Sequence, residues 1–168
     1  PYGFTWLAPV ALVPLLIAVA REPSWYHRFA IGELAGIVFW AGACNWIHFV
    51  LTEHGGLPWL GGWGVFALFC LAKALHSAVF ATLAGPLLTR WWAIPAVAAL
   101  WAGIERTHNI DFTWLMLGNA AQDMAIPLRI APWTGVYGVS FVLALISVAI
   151  TIAILRQPRK QLLWLALL

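Results

Sequence analysis

Apolar residues fill this chain in long blocks that short polar segments separate. Five blocks are complete and a sixth begins near the end of the sequence: residues 4–20, 29–51, 62–88, 91–104, 134–155 and 162 onward. An α-helix rises about 1.5 Å per residue, so roughly 20 apolar residues cross the hydrocarbon core of a bilayer. The pattern predicts an all-α fold, a polytopic transmembrane helix bundle with about six spans.

One long segment, residues 105–141, interrupts this pattern between the fourth and fifth blocks. It contains three of the six carboxylates, those of Glu105, Asp111 and Asp123. Polar groups cannot stay unsatisfied in hydrocarbon, so irregular chain near membrane depth persists only where protein or water covers it. The polar loop at residues 106–132 therefore predicts a packed bundle with an aqueous or headgroup-level pocket at one end. This pocket is the candidate functional site.

Composition agrees with a membrane protein. Apolar residues make up 63% of the 168 residues, charged residues make up 9%, and the mean hydropathy is +0.88. These values exclude a water-soluble domain. The net charge of +3 comes from nine basic and six acidic residues, and most of the basic ones lie in short loops. The charge therefore indicates topology and not nucleic-acid binding. Cys44 and Cys70 lie inside apolar blocks, where free cysteine packs as a small hydrophobe.

The two ends of the chain indicate a larger protein. The sequence begins without methionine, and its last residues, LLWLALL, lie within an apolar run. We therefore expect residues 1–168 to be a transmembrane domain truncated at both ends.

Basic residues divide unevenly between the two sides of the predicted bundle. If loops alternate sides, six basic residues share one side, namely Arg21, Arg28, Arg90, Arg156, Arg159 and Lys160, and the other side has Arg106 and Arg129. The positive-inside rule places the first group in the cytoplasm. Tryptophans 59 and 63 on the outer side, and 91 and 92 on the inner side, lie where interfacial aromatic belts are expected. The loop at residues 106–132 is therefore predicted to face outward.

Three polar side chains lie well inside the third block. Lys73, His76 and Ser77 are spaced at i, i+3 and i+4, so they share one helical face. A charged side chain within a span is costly and therefore suggests a function. Two interpretations stay open: the three side chains satisfy one another or a backbone carbonyl, or they contact a substrate or a lipid headgroup.

Four further polar residues belong to the interrupting segment. Glu105 and Arg106 end the fourth block, where they form either an ordinary interfacial ion pair or a contact that organises the loop or holds a polar ligand. Asn119 and Gln122 have no strong apolar neighbours that explain them by packing, so loop capping and ligand contact are both open.

The sequence offers no catalytic signature. It contains no metal-ligand spacing, no phosphate-binding glycine loop and no Ser/His/Asp pattern. We expect no metal, no cofactor and no catalytic residue within this chain.

Several short motifs follow one another along the chain. They are Asn45-Trp46-Ile47, His54-Gly55-Gly56-Leu57-Pro58, Trp101-x3-Glu105, Phe112-Thr113-Trp114, Leu117-Gly118-Asn119 and Leu128-x2-Ala131-Pro132-x2-Gly135-Val136-Tyr137-Gly138-Val139-Ser140-Phe141. The last block is fairly specific, and the serial order extends over essentially the whole chain. Taken together, the motifs resemble the membrane half of bacterial apolipoprotein N-acyltransferases. They add Trp46 and Trp114 to the candidate residues.

The resemblance implies an activity that composition does not. Members of that family carry a nitrilase-like domain on the outer side of the bacterial cytoplasmic (inner) membrane. There a Cys takes an acyl chain from a phospholipid as a thioester, with a Glu as general base and a Lys that supports the oxyanion. The acyl group then passes to the α-amine of the diacylglyceryl-cysteine at a lipoprotein N-terminus.

The resemblance also assigns a role to this part of the protein. None of that catalytic triad lies in this chain, so the chain would anchor the enzyme and admit its lipid substrates. The partners would be a phospholipid acyl donor, a lipoprotein N-terminus and membrane lipids, with no nucleic acid. The loop at residues 106–132 would be periplasmic.

The sequence departs from the family pattern near the candidate site. His108 stands where the family has an arginine, and Asp111-Phe112-Thr113-Trp114 replaces Gly-Phe-Pro-Trp. Lys73 and His76 match no family motif. A fragment of a small-solute or lipid transporter is the competing interpretation, because an intramembrane Lys/His face would also suit it. The sequence shows no internal repeat to support a transporter, and a purely structural anchor leaves the polar loop unexplained.

Overall fold

A computed structural model describes residues 4–108 and 112–155. Within these residues the protein contains seven α-helices and two 3₁₀ helices and no strand, so the all-α prediction is confirmed there. In chain order the elements are the 3₁₀ helix Phe4–Val10, α1 (Val13–Arg21), α2 (Trp25–Ala43), α3 (Trp46–Glu53), α4 (Trp59–Leu87), α5 (Ala93–His108), the 3₁₀ helix Leu117–Ala121, α6 (Ala125–Leu128) and α7 (Ala131–Ile154).

Two of the described helices, α4 and α7, are long and apolar enough to cross a membrane. The bent pair α2 and α3 makes a third crossing if it counts as one span. Helix α5 has 16 residues, fewer than the roughly 20 that a full crossing requires, and α1 is shorter. The sixth predicted span, from residue 162, lies outside the described residues. The prediction of about six spans is therefore supported for two or three helices and not confirmed for the others.

Helices α2 and α4 pack closely because small residues face each other. A Cβ atom added to Gly32 would lie 2.5 Å from the Cβ of Ala81 and from the carbonyl oxygen of Ser77, and one added to Gly36 would lie 2.8 Å from the Cα of Ala74. Small residues spaced four apart allow this approach between membrane helices, where van der Waals contact drives association. The contact places the polar face of α4 beside α2.

A second layer of the core joins α1, α4, α5 and α7. Its large, fully buried side chains are Leu16, Val19, Phe80, Leu88, Ile94, Val97, Val148 and Ile152. The hydroxyl of Ser147 donates a hydrogen bond of 2.7 Å to the carbonyl oxygen of Pro9 and ties the first 3₁₀ helix to α7. This layer holds α5 in place. The polar loop at residues 106–132, the candidate segment, begins at the end of α5.

The outward faces of α2 and α4 are also apolar. Their exposed side chains include Leu34, Val38, Leu68, Leu71, Leu75, Val79 and Leu83. A surface helix in water normally presents polar residues on its outer face. An apolar outer face instead suits contact with lipid.

Two predicted spans contain breaks that hydropathy does not show. The block at residues 29–51 bends by 57° between α2 and α3, and α7 is interrupted at Gly135, whose φ is 65° and ψ is −169°. Glycine adopts positive φ without steric cost. The first break changes the direction of the helix just before Trp46, whose ring lies near that of Trp114. The second changes the direction of α7 near its N-terminus.

Basic side chains gather at one end of the described bundle. Arg21 ends α1, Arg28 lies in the first turns of α2 against Gly85 of α4, and Arg90 lies in the turn between α4 and α5. The amide of Ser24 donates a hydrogen bond to Glu22 at this end and lowers the pKa of that carboxyl. The other predicted cytoplasmic residues, at 156, 159 and 160, lie outside the described residues.

Candidate functional site

A cavity of about 200 Å³ lies between α1, α2, α4, α5 and the segment that follows α5. Its walls are mainly apolar, but four polar side chains reach it: Lys73, His76 and Ser77 of α4 and Glu105 of α5. Lys73 and Glu105 are each only 3% exposed. The structure therefore brings the intramembrane polar face of α4 and the end of α5 to one place.

Glu105 joins α5 to the segment after it. Its Oε1 atom accepts a 2.9 Å hydrogen bond from the indole Nε1 of Trp101, one turn earlier, and a 2.6 Å bond from the amide of Leu117. The hydroxyl of Ser140 on α7 also interacts with the carboxyl group. Its Oε2 atom is buried and has no hydrogen-bond partner among the described residues. One oxygen therefore organises the chain, while the other keeps an unused acceptor in a residue that lines the cavity.

Gly118 lets the segment dock directly on α7. Its amide donates a 2.8 Å hydrogen bond to the Oγ of Ser140. A Cβ atom at this position would lie 2.9 Å from the Cγ2 of Val136 and would clash with the carbonyl oxygen of the same residue. The close approach therefore requires glycine.

Aromatic rings surround the ammonium group of Lys73. Its Nζ lies 5.5 Å from the ring centroid of Trp40 and 5.6 Å from that of Phe112. The Trp40 and Phe112 rings are 5.5 Å apart in an edge contact, and Phe69 completes the cluster. Cation–π attraction within about 6 Å offsets part of the cost of burying the charge. The Nδ1 of His76 lies 3.3 Å from the carbonyl oxygen of Lys73.

Trp46 and Trp114 extend this aromatic cluster to the surface. Their ring centroids are 6.1 Å apart, and Trp114 also contacts Phe112 at 5.8 Å. Trp46 is 47% exposed and Trp114 is 59% exposed. A continuous aromatic path thus leads from the surface to Lys73.

The other three candidates lie away from the cavity. The guanidinium of Arg106 lies over the ring of Tyr137 at 5.4 Å. The hydrogen bonds described for Glu105 come from Trp101 and Leu117 and not from Arg106. Asn119 and Gln122 are exposed and line a separate groove of about 360 Å³ beside the break at Gly135. The eight predicted residues therefore do not form one site.

Some aromatic residues around Lys73 were missed from the sequence. Trp40 and Phe112 come from other segments than Lys73, so no spacing pattern connects them to it. Phe69 lies one turn before Lys73 on α4, and its i, i+4 spacing was a signal that the sequence offered. The i, i+4 spacing of Trp101 and Glu105 was the one available signal for a local hydrogen bond. Among the described residues, no group of three His, Cys, Asp or Glu side chains could hold a metal ion.

Comparisons with known proteins agree on one family. Residues 1–149 match the family model described as the apolipoprotein N-acyltransferase N-terminal domain. Relatives named apolipoprotein N-acyltransferase include those of Geobacter metallireducens, 35% identical over 153 residues, Rhodopirellula baltica, 29% identical over 159 residues, and Photobacterium profundum, 25% identical over 168 residues. These alignments cover 88%, 89% and 96% of this chain but only 29%, 27% and 32% of the relatives, so the chain spans less than a third of their length. Because the family model matches most of its residues, this chain belongs to the apolipoprotein N-acyltransferase family, in the region of the N-terminal domain.

Proposed function

We propose that this chain is the membrane domain of an enzyme that moves an acyl chain from a phospholipid to the N-terminal diacylglyceryl-cysteine of lipoproteins. The reaction proceeds through a Cys thioester in a nitrilase-type domain that follows this one in the whole protein. The membrane domain anchors the enzyme and admits its lipid substrates. Family membership and the apolar outer faces of the helices support this proposal.

The cavity at Lys73 and Glu105 is the observation that carries the proposed role. Two ionisable side chains, both almost fully buried, line one cavity in an apolar bundle. Such residues within a membrane bundle usually mark a path or a site for a polar ligand. Two further lining residues, Phe39 and Leu115, are exposed, so the cavity margin reaches the outer surface of the protein. A lipid that enters from the side could place its polar head there.

The proposed location is the bacterial cytoplasmic membrane, with the loop at residues 106–132 on the periplasmic side. Arg21, Arg28 and Arg90 support this orientation because they share one end of the bundle, as the positive-inside rule requires of a cytoplasmic face. The candidate segment follows α5 and therefore lies towards the opposite end.

Complementation tests the proposed function. The full-length gene is expressed in a bacterial strain depleted of its own apolipoprotein N-acyltransferase, and the N-terminal lipopeptide of a lipoprotein is weighed by mass spectrometry. The expected product carries three acyl chains. A lipopeptide that retains only two chains, despite normal membrane insertion of the protein, would contradict the proposal.

A double variant sharpens this experiment. Cys44 and Cys70 are 1% and 3% exposed and pack with Trp40 and Phe66. Neither is the proposed nucleophile, so the Cys44→Ala/Cys70→Ala protein should still transfer the third chain. Loss of transfer in this variant, with normal amounts of inserted protein, would show that transfer requires Cys44 or Cys70. That result would contradict a thioester in a following domain.

A further inference from the structure

Three arginines from separate elements lie at the end of the bundle away from the candidate segment. Arg21 ends α1, Arg28 lies in the first turns of α2, and Arg90 lies in the turn after α4. Nε of Arg28 donates a 2.7 Å hydrogen bond to the backbone oxygen of Glu22. Arg21 and Arg28 are therefore near neighbours, although seven positions separate them in the sequence.

Packing fixes the side chain of Arg28 at the contact between α2 and α4. A Cβ atom added to Gly85 would lie 2.6 Å from Cδ of Arg28 and 2.8 Å from its Cζ, so the side chain passes directly over this glycine. The bond to Glu22 uses Nε alone. The two Nη groups of a guanidinium form a fork that matches two oxygens of a phosphate. A side chain that is already oriented loses less conformational entropy when it binds a ligand.

Positive charge exceeds negative charge at this arginine-rich end. Among the described residues, positions 21–28 and 88–92 contain three arginines and one carboxylate, that of Glu22, which leaves two excess positive charges. Oε1 of Glu22 accepts a 3.0 Å bond from the amide of Ser24 and lies 3.2 Å from Nδ1 of His27. This carboxylate is thus directed towards its own turn. An excess of one sign of charge attracts ligands of the opposite sign.

The surroundings of the arginines favour a lipid over a free anion. Tyr26, Trp91 and Trp92 are exposed at the same end, and exposed Tyr and Trp rings of membrane proteins lie at the level of the lipid headgroups. Further along α2, Leu34 and Val38 are exposed and apolar. An anion with acyl chains could therefore contact the arginines and cover this apolar face together.

From this juxtaposition we infer that the arginine-rich end binds the head of an anionic phospholipid. The phosphate accepts hydrogen bonds from the Nη groups of Arg28, Arg21 and Arg90 add electrostatic attraction, and the acyl chains lie along the outer face of α2. The bound lipid stabilises the bundle because its head contacts α1, α2 and the turn after α4. The inference does not rest on the proposed acyl transfer.

Lipid retention by the full-length protein tests the inference. The protein is loaded with equal amounts of phosphatidylglycerol and phosphatidylethanolamine whose chains are identical and ether-linked, so that neither lipid can donate an acyl group. Retained lipid is counted by native mass spectrometry. Phosphatidylglycerol should be retained in several-fold excess, because the ammonium of phosphatidylethanolamine cancels its phosphate charge. It should also raise the melting temperature of the protein more than phosphatidylethanolamine does.

Variants assign this selectivity to the arginine-rich end. Arg28→Gln should lower the retention ratio of the two lipids about fivefold, the change expected for one arginine near a membrane surface. Arg21→Gln alters an exposed residue and should lower the ratio without disturbing the contact with Gly85. Arg129→Gln is the matched control, because it removes an exposed arginine from the candidate segment. Equal retention of the two lipids by the wild type would overturn the inference. Ratios in Arg28→Gln and Arg21→Gln that equal the ratio in Arg129→Gln would overturn it too.

Inorganic phosphate separates a lipid site from a site for a free anion. Excess sodium phosphate should displace no more phosphatidylglycerol than sodium chloride of equal ionic strength, because the acyl chains contribute to binding. Displacement by phosphate alone would show that the arginines bind a free anion, and the lipid assignment would be wrong.

Discussion

At the scale of single residues, the two carboxylate oxygens of Glu105 differ in their hydrogen bonds. Oε1 holds the Trp101 indole and the Leu117 amide, and so connects α5 to the 3₁₀ helix Leu117–Ala121. Oε2 is buried without a hydrogen-bond partner among the described residues. A single carboxyl group therefore connects the end of α5 to the segment that follows it.

Replacing Glu105 by alanine should loosen the segment. The indole and amide donors would lose their acceptor, at a cost of about 1–3 kcal/mol for each buried group left unsatisfied. Amide hydrogen exchange of the full-length protein should accelerate at residues 117–121. Glu105→Gln retains an acceptor oxygen and should exchange nearly as slowly as the wild type. Equal exchange rates in Glu105→Ala and wild-type protein would show that these bonds do not hold the segment.

Replacing Trp114 by alanine should impair acyl transfer more than stability. The ring is 59% exposed and contacts Trp46 and Phe112, so its removal leaves no large cavity, while the aromatic path to Lys73 is lost. Trp25→Ala is the matched control, because Trp25 is 66% exposed at the arginine-rich end. We expect reduced lipoprotein N-acylation only in Trp114→Ala, with both proteins inserted. Normal acylation in Trp114→Ala would remove this ring from the site.

Sequence reasoning reached some of these contacts and not others. Helical spacing places Lys73, His76 and Ser77 on one face, and all three line the cavity. Spacing gave no reason to bring Trp40 or Phe112 to Lys73, because the three residues lie in different segments of the chain. Asn119 and Gln122 could not be placed either, since the groove that they line depends on the break at Gly135.

At the scale of elements, the pairing of α2 with α4 determines where the cavity forms. Gly32 and Gly36 allow the two backbones to approach, and Trp40, one turn further along α2, then meets Lys73. Side chains at the glycine positions would push the helices apart. The cavity and the ring around the ammonium group would change together.

Two glycine-to-alanine substitutions in α2 test this pairing. Gly32→Ala places a methyl group 2.5 Å from Ala81 and Ser77, and should destabilise the protein by about 1–3 kcal/mol through overpacking. Gly42→Ala meets nothing within 4 Å and should be neutral or stabilising by up to about 1 kcal/mol. Thermal denaturation of the full-length protein in detergent measures both. Similar melting temperatures for the two variants would contradict the proposed helix contact.

Hydropathy predicted the long helices better than their interruptions. The blocks at residues 62–88 and 134–155 correspond to α4 and α7 within a few residues. Hydropathy does not detect the bend between α2 and α3 or the break at Gly135. Neither interruption changes the apolar composition, so the mean hydropathy stays high across it. The first predicted span instead consists of a 3₁₀ helix and the short α1.

At the scale of the whole molecule, basic and aromatic residues distinguish the two ends of the bundle. Arg21, Arg28 and Arg90 lie at one end, while Trp46 and Trp114 meet beside the candidate segment, which follows α5. Short turns connect α2/α3, α4 and α5, so successive helices run back and forth between these ends. The proposed enzyme needs its lipid site near the side where acyl transfer takes place. The orientation of the helix bundle in the membrane is therefore the central claim.

Site-directed labelling in cells measures that orientation directly. In the Cys44→Ala/Cys70→Ala background of the full-length protein, Thr113→Cys and Thr89→Cys each add one thiol at an exposed threonine, the first in the candidate segment and the second in the turn between α4 and α5. The labelling of the background protein, which keeps the proposed nucleophilic cysteine, is measured in parallel and subtracted. A membrane-impermeant maleimide added to intact spheroplasts should label Thr113→Cys at once and Thr89→Cys only after lysis. Labelling of Thr89→Cys alone in intact spheroplasts would place the segment in the cytosol and contradict the account.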